Sequence, residues 1–281
     1  MTMSNAHHIH LVSDATGETI TAVARACLVQ FEDVQPTEHV WSLVRTPKHM
    51  ERVIARIQEN PGLVLYTLVN NELRTMLEET CRRLQLPSIA VLDPIIAALG
   101  GFLGSTSRGQ PGRQHTLDAE YFGRIDAMHF AMLHDDGQAL AGLNEADVVL
   151  VGVSRTSKTP TCIYLANRGV KAGNIPLVAG LPLPPELDRL TKPLIVGLTK
   201  DPERLVQVRK ARLLSLNQDA RTDYVDLEQV RSELREARRL FTQRNWPVLD
   251  VTRRSIEEVA AAIINLLTEH RNQNGGSAKP A

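Results

Sequence analysis

The 281-residue sequence predicts an α/β fold of two domains, each a mostly parallel sheet flanked by helices, the C-terminal one carrying a phosphate-binding loop (P-loop). Three observations carry this. The length allows about two domains. Short apolar, β-branched runs alternate with amphipathic stretches, the rhythm of β-α units and of a parallel sheet covered by helices. One such run, Val148 to Val151, meets Gly152 and then Ser157-Lys158-Thr159, so a strand feeds a loop and a helix.

The N-terminal elements follow in order. Residues 8–13 read as a strand, 18–30 as a helix and 39–44 as the next strand. Pro47 opens a helix with Met50, Val53, Ile54 and Ile57 on one face. Residues 62–69 are a third strand, 71–84 a helix and 88–92 a fourth strand, with Ile89 to Asp93 an apolar strand ending in an acid. Residues 100–115, rich in Gly, Ser and Arg, break the rhythm. The domain boundary is placed there, giving domains 1–108 and 109–272 and a disordered tail at 273–281. The segment reads as a linker, or as a basic loop over a phosphate site through Arg108 and Arg113.

In the second domain a helix over 117–134 carries Phe122, Ile125, Met128 and Met132 at helical spacing, and Gly137 stops it. After the loop, residues 160–167 form a helix. Strands are expected at 174–179, 193–199 and 246–252, a long helix at 227–244, and a last helix with its stripe from Ile256 to Leu267.

Composition narrows the function. Lys+Arg and Asp+Glu balance at 32 each, which argues against a nucleic-acid or membrane-surface protein. Cys27, Cys81 and Cys162 match no metal or redox spacing and fit a reducing cytoplasm. No segment reads as a signal peptide or a membrane span.

The loop motif has a mechanism. In the pattern G-x-x-x-x-G-K-S/T the first Gly lets the chain turn, backbone N–H groups face phosphate oxygens, and the helix N-terminus adds positive potential. Gly152, Val153, Ser154, Arg155, Thr156, Ser157, Lys158 and Thr159 are the nucleotide-binding candidates. Lys158 is the main charge stabiliser and Thr159 the Mg²⁺ contact. Ser157 stands where the pattern has its second Gly, so the loop is expected to take there a backbone angle that a residue with Cβ can adopt and to differ locally from the standard loop.

Three further features bear on chemistry. Asp135 and Asp136 read as a solvated turn or, facing the loop, as acids one of which binds Mg²⁺ or takes a proton from an attacking hydroxyl. Ser13, Asp14 and Thr16, in VSDATGET at residues 12–19, read as helix capping or as a second anion site. Arg204, Arg209, Lys210 and Arg212 read as a solvent face or as a lid over phosphate charge.

Together, VSDATGET, the PGRQHTLDAEYFGRIDAMHFAMLHDDG segment at 111–137, the loop with the residues to 178, and GLTKDPERLVQVRKARL at 197–213 resemble the pyruvate, phosphate dikinase regulatory proteins. Close relatives of those proteins regulate phosphoenolpyruvate synthase; the forms of VSDATGET and PGRQHTLD look more like the dikinase branch. The resemblance implies a bifunctional enzyme. With ADP it phosphorylates, and so inactivates, an active-site threonine of the dikinase. With inorganic phosphate it removes that group, releasing pyrophosphate. Asp135 or Asp136 is then the base of the kinase direction, phosphate being already an anionic nucleophile. The implied substrates are ADP and inorganic phosphate with Mg²⁺, the partner is the dikinase, and a homodimer is kept open. From residues alone, a small-molecule kinase or a non-catalytic nucleotide sensor stands as the rival reading.

Overall fold

Runs that are apolar at every position become central strands, because a parallel sheet is covered on both faces. The computed structural model describes residues 7–32, 34–107, 119–216 and 223–275. It divides into two compact units, 1–116 and 117–281. The boundary expected after residue 108, with Arg108 and Arg113, lies outside the described residues, as does the tail past 275.

The first unit runs β1 (His8–Ser13), α1 (Glu18–Leu28), β2 (Thr37–Trp41), α2 (Pro47–Glu59), β3 (Leu63–Thr67), α3 (Asn71–Arg83), β4 (Ser88–Ala90) and α4 (Asp93–Leu103). All pairings are parallel, in the order β2-β1-β3-β4. Thr46 caps α2 through the His49 N–H, and Pro47 follows where a missing N–H costs little. Met50, Val53 and Ile57 then face the core with Leu73, Leu77 and Cys81 of α3.

Two departures from the sequence reading have a plain local cause, beside shifts of one or two residues at the ends of α1, β3, α3 and β4. Leu43 takes a left-handed φ of 55°, which breaks the extended chain, and the Leu43 and Val44 N–H groups donate to the Ala15 and Ser13 carbonyls, past the end of the β1–β2 register at Val12 and Trp41. β2 therefore ends at Trp41 rather than continuing to Val44. Asp93 does not end a strand. It opens α4 with Pro94 in the first turn, and Arg74 holds its carboxylate at 2.7 Å. Gly100 and Gly101 masked this helix, since glycine disfavours a helix interior.

The second unit runs α5 (Ala119–Leu133), β5 (Val148–Val153), α6 (Lys158–Asn167), β6 (Ala172–Leu177), β7 (Leu194–Thr199), α7 (Pro202–Ser215), α8 (Leu227–Gln243), β8 (Val248–Asp250) and α9 (Ile256–Gly275). The parallel order is β6-β5-β7-β8. β5 is buried throughout. On one face Leu150 and Val196 meet Cys162, Leu165, Val259 and Ile263. On the other Val149 and Val151 meet Leu205, Val230, Leu234 and Phe241. From β5 the chain goes first to β6 on one side and later to β7 on the other. A crevice at the carboxyl end of β5 is the place where such sheets bind ligands.

Candidate active site

The loop between β5 and α6 is tightly made. A Cβ on Gly152 would sit 2.7 Å from the Leu198 carbonyl and 2.8 Å from the Thr156 hydroxyl, so only glycine fits. Arg155 and Ser157 both take left-handed angles, φ 71° and 62°. Ser157 thus does the conformational work of the second glycine and forms the N-cap of α6 without a side-chain cap hydrogen bond. Buried Thr156 donates to the Val153 carbonyl at 2.9 Å and closes the turn.

Lys158, only 5% exposed, donates to the same carbonyl at 3.1 Å. Burial lowers its pKa to about 8, opposed by the charges of Asp136 and Asp135. A cation held this dry is poised for an anion, which returns the interaction that desolvation removed.

The two acids occupy different places. Asp135 accepts from the Thr159 hydroxyl at 2.8 Å and from the Asn174 amide at 2.5 Å. Asp136, at φ 50°, is exposed and lines the cleft. Asn174 on β6 fixes the turn that carries both. Its side-chain oxygen accepts from Asp136 N–H at 3.2 Å, and its backbone carbonyl from Gly137 N–H at 2.9 Å. The sequence reading missed Asn174, although a polar residue inside a buried strand was its signal.

Two basic residues were also missed or misread. Lys200, after β7, lines the cleft and lies 3.4 Å from the Arg155 carbonyl, its pKa lowered by burial and by Arg204. Arg209 is neither solvent face nor lid, at 1% exposure. It pairs with Glu233 at 2.7 Å, donates to the Tyr224 carbonyl at 3.0 Å and lies over the Tyr224 ring. Tyr224 hydroxyl in turn meets Ser154 hydroxyl at 3.0 Å, so this buried cation braces the loop from behind. The cleft, about 550 Å³, is lined by Asp136, Ser154, Arg155, Ser157, Lys158 and Thr159, among others.

In the first unit Ser13 and Asp14 are buried and hydrogen-bonded within the fold. Ser13 hydroxyl accepts from Ala15 N–H at 3.1 Å and from Thr67 at 3.0 Å. Asp14 accepts from Val69 and Asn70 N–H at 2.7 and 3.3 Å. Gly17, not Asp14 or Thr16, is the N-cap of α1. Among the described residues no cluster of three or more His, Cys, Asp or Glu could hold a metal ion. No described helix is long and apolar enough to cross a membrane.

A parallel sheet with a lysine, hydroxyls and two acids gathered at its carboxyl end is an arrangement with the chemistry to meet phosphorylated ligands. The chain belongs to the kinase/pyrophosphorylase family, whose model matches residues 9–264. It is 60% identical over 272 residues to a putative pyruvate, phosphate dikinase regulatory protein of Paramagnetospirillum magneticum, covering 97% of this chain and 88% of that one. Proteins of the same description from Rhizorhabdus wittichii and Caulobacter vibrioides are 56% and 54% identical, over 93% and 95% of this chain and 96% and 84% of theirs. The chain is therefore a phosphoryl-transferring enzyme, a kinase and phosphorylase whose substrates include a nucleotide and phosphate.

Proposed function

We propose that this enzyme phosphorylates a threonine of pyruvate, phosphate dikinase with ADP and removes that phosphate with inorganic phosphate. The printed descriptions of its relatives support the target. The observation that carries the chemistry is one cleft lined by Lys158, Thr159 and Asp136, with Asp135 hydrogen-bonded to Thr159 at its wall.

In the kinase direction the threonine oxygen bonds to the terminal phosphorus of ADP. The anhydride bond breaks, AMP leaves, and Asp136 takes the hydroxyl proton. In the other direction a phosphate oxygen attacks the phosphothreonine phosphorus. The bond to the threonine oxygen breaks, that oxygen takes the proton carried by Asp136 in its acid form, and the newly joined pyrophosphate is released. In both, Lys158 and the loop N–H groups face the charge on the moving group.

Hard-cation chemistry suits the Thr159 hydroxyl and the Asp135 carboxylate, which are already adjacent oxygen donors. These two would hold Mg²⁺, which when bound neutralises phosphate charge. Three free cysteines fit the reducing cytoplasm proposed as its compartment.

The test is to incubate the protein with the dikinase, phosphoenolpyruvate and ADP, and to map threonine phosphorylation by mass spectrometry. Adding phosphate to the phosphorylated product should release pyrophosphate. Phosphorylation of phosphoenolpyruvate synthase but not of the dikinase would move the target. Tight ADP binding with no transfer to any protein would overturn the reading.

A further inference from the structure

Asp136 gives the cleft a direction. An acceptor hydroxyl must approach Asp136, which Asn174 ties to β6. Phosphoryl transfer places the attacking and leaving oxygens roughly in line. The leaving group therefore extends away from β6, past Lys158, toward β7 and β8. There a second cleft opens, about 580 Å³, lined by Asp201, Glu203, Arg204, Gln207, Thr252 and Arg253. It adjoins the first, since Lys200 lines one and Asp201 the other.

We propose that this second cleft is the nucleoside subsite, holding the base and ribose of the diphosphate donor. The assignment rests on reading the first cleft as the site of phosphoryl transfer.

The lining suits that ligand. Asp201 N–H donates to Thr252 hydroxyl at 2.8 Å, and Thr252 donates on to Asp250. Asp201 carboxylate caps α7 through Arg204 N–H at 2.9 Å, and Arg204 guanidinium holds the Gln207 oxygen at 2.9 Å. These links join the turns after β7 and β8 into one framed wall, as a positioned site requires. The Gln207 amide N–H groups remain to meet ribose or base acceptors. Exposed Arg253 has no ion pair or hydrogen bond among the described residues, and its planar guanidinium can lie on a base face. The β6 side differs: Val178 and Leu181 are exposed and apolar there, a surface suited to polypeptide.

The subsite has a consequence that separates the two reactions. The kinase direction carries a nucleoside, and phosphorolysis uses phosphate and pyrophosphate alone. Only the first needs this cleft.

The experiment compares the full chain with Gln207→Ala/Arg253→Ala, measuring ADP and pyrophosphate binding by calorimetry and initial rates in both directions. Arg253→Glu, a change on an exposed side chain, repeats it without touching the Arg204–Gln207 bond. ADP affinity should fall on the order of 10-fold, about the loss of one good contact. Pyrophosphate affinity and phosphorolysis should stay within roughly 2-fold, since nothing on the phosphates has changed. Unchanged ADP affinity overturns the subsite, as does an equal loss for ADP and pyrophosphate. If ADP binding depends on these residues but no phosphoryl group moves in either direction, the subsite stands and the functional reading falls.

Discussion

The hydroxyl of Thr159 donates a 2.8 Å hydrogen bond to Oδ1 of Asp135, joining the first turn of α6 to the turn after α5. The pair separates two acids that are adjacent in sequence. Asp135 is engaged by Thr159 and Asn174, whereas Asp136 faces the cleft.

Their substitutions should therefore differ. Asp135→Asn should raise the Mg²⁺ concentration for half-maximal rate by about 10-fold or more, the usual scale for perturbing metal ligation. Asp136→Asn should leave that concentration unchanged and lower the rate by roughly 10²–10⁴-fold, as loss of a general base does. Sequence reasoning confines this loss to the kinase direction. Bond balance does not: in phosphorolysis the threonine oxygen leaves as an alkoxide and needs a proton, so both rates should fall. Rate against Mg²⁺, run in each direction, decides. A metal shift in Asp136→Asn and none in Asp135→Asn would exchange the roles.

In the proposed mechanism Lys158 supplies charge to both reactions. Lys158→Met keeps the stem that packs in the cleft but removes the ammonium. Both rates should drop about 10²-fold or more, with the melting temperature no lower. Burial sets the lysine at about 8, so the free enzyme loses this charge as pH rises past that value. The wild-type kcat/KM should fall there on the alkaline limb. Survival of either activity near the wild-type rate in Lys158→Met would refute a shared cleft.

Much of this was legible in sequence because backbone demands leave plain marks. β5 is uniformly apolar, and Gly152, Lys158 and Thr159 sit at motif spacing. β1 fell where its alternation with α1 required. What stayed hidden depends on partners distant in the chain. Asn174 matters because β6 pairs beside β5 and brings it to Asp135. Arg209 looked like any surface arginine until Glu233 and Tyr224 enclosed it. α4 was concealed by two glycines, and its apolar residues Ile95, Leu99 and Phe102 remain exposed.

Ser157 should be improvable. A residue with Cβ in the left-handed region carries roughly 1 kcal/mol of strain, and Ser157 makes no side-chain cap bond in return. Ser157→Gly should raise unfolding free energy by about 0.5 kcal/mol, less than the strain because glycine also loosens the unfolded chain. Its carbonyl bond from Thr161 at 2.7 Å is backbone-based and should persist. Urea unfolding midpoints measure this, and a clear drop would mean that the Ser157 side chain makes a stabilising contact.

A histidine cluster on β1 and β2 should make stability depend on pH. Buried His10 accepts from Trp41 indole at 3.2 Å through Nδ1 and donates to the Asn60 carbonyl at 2.8 Å through Nε2. Both roles are filled only by the neutral ring. His39 stacks on it at 4.6 Å. Burial lowers the pKa of both from 6.5. The unfolded chain then binds more protons below that value. Stability should be flat above pH 7 and decline as pH falls through about 6.5, at most about 1.4 kcal/mol per pH unit for each histidine. His10→Gln should lower stability overall yet flatten the slope in urea melts between pH 5 and 7.5. An unchanged slope would exclude His10 as its source.

The turn carrying Ser13, Asp14 and Thr16 should divide into structural and ligand-facing parts. Asp14→Ala leaves Val69 and Asn70 N–H without their acceptor, a loss of about 1–3 kcal/mol in stability. Thr16 is exposed, and Thr16→Ala should change stability by less than about 0.5 kcal/mol. If this turn and the start of α1 receive a second anion, Thr16→Ala should slow phosphorolysis more than the kinase reaction. Phosphorolysis must bring phosphate and phosphothreonine together against their repulsion, whereas the kinase acceptor is a neutral hydroxyl. ADP affinity should hold within a few-fold, because residues 152–159 are untouched. Initial rates in both directions with equilibrium ADP binding make the comparison. Equal loss of both rates with weakened ADP binding would instead place Thr16 against the nucleotide.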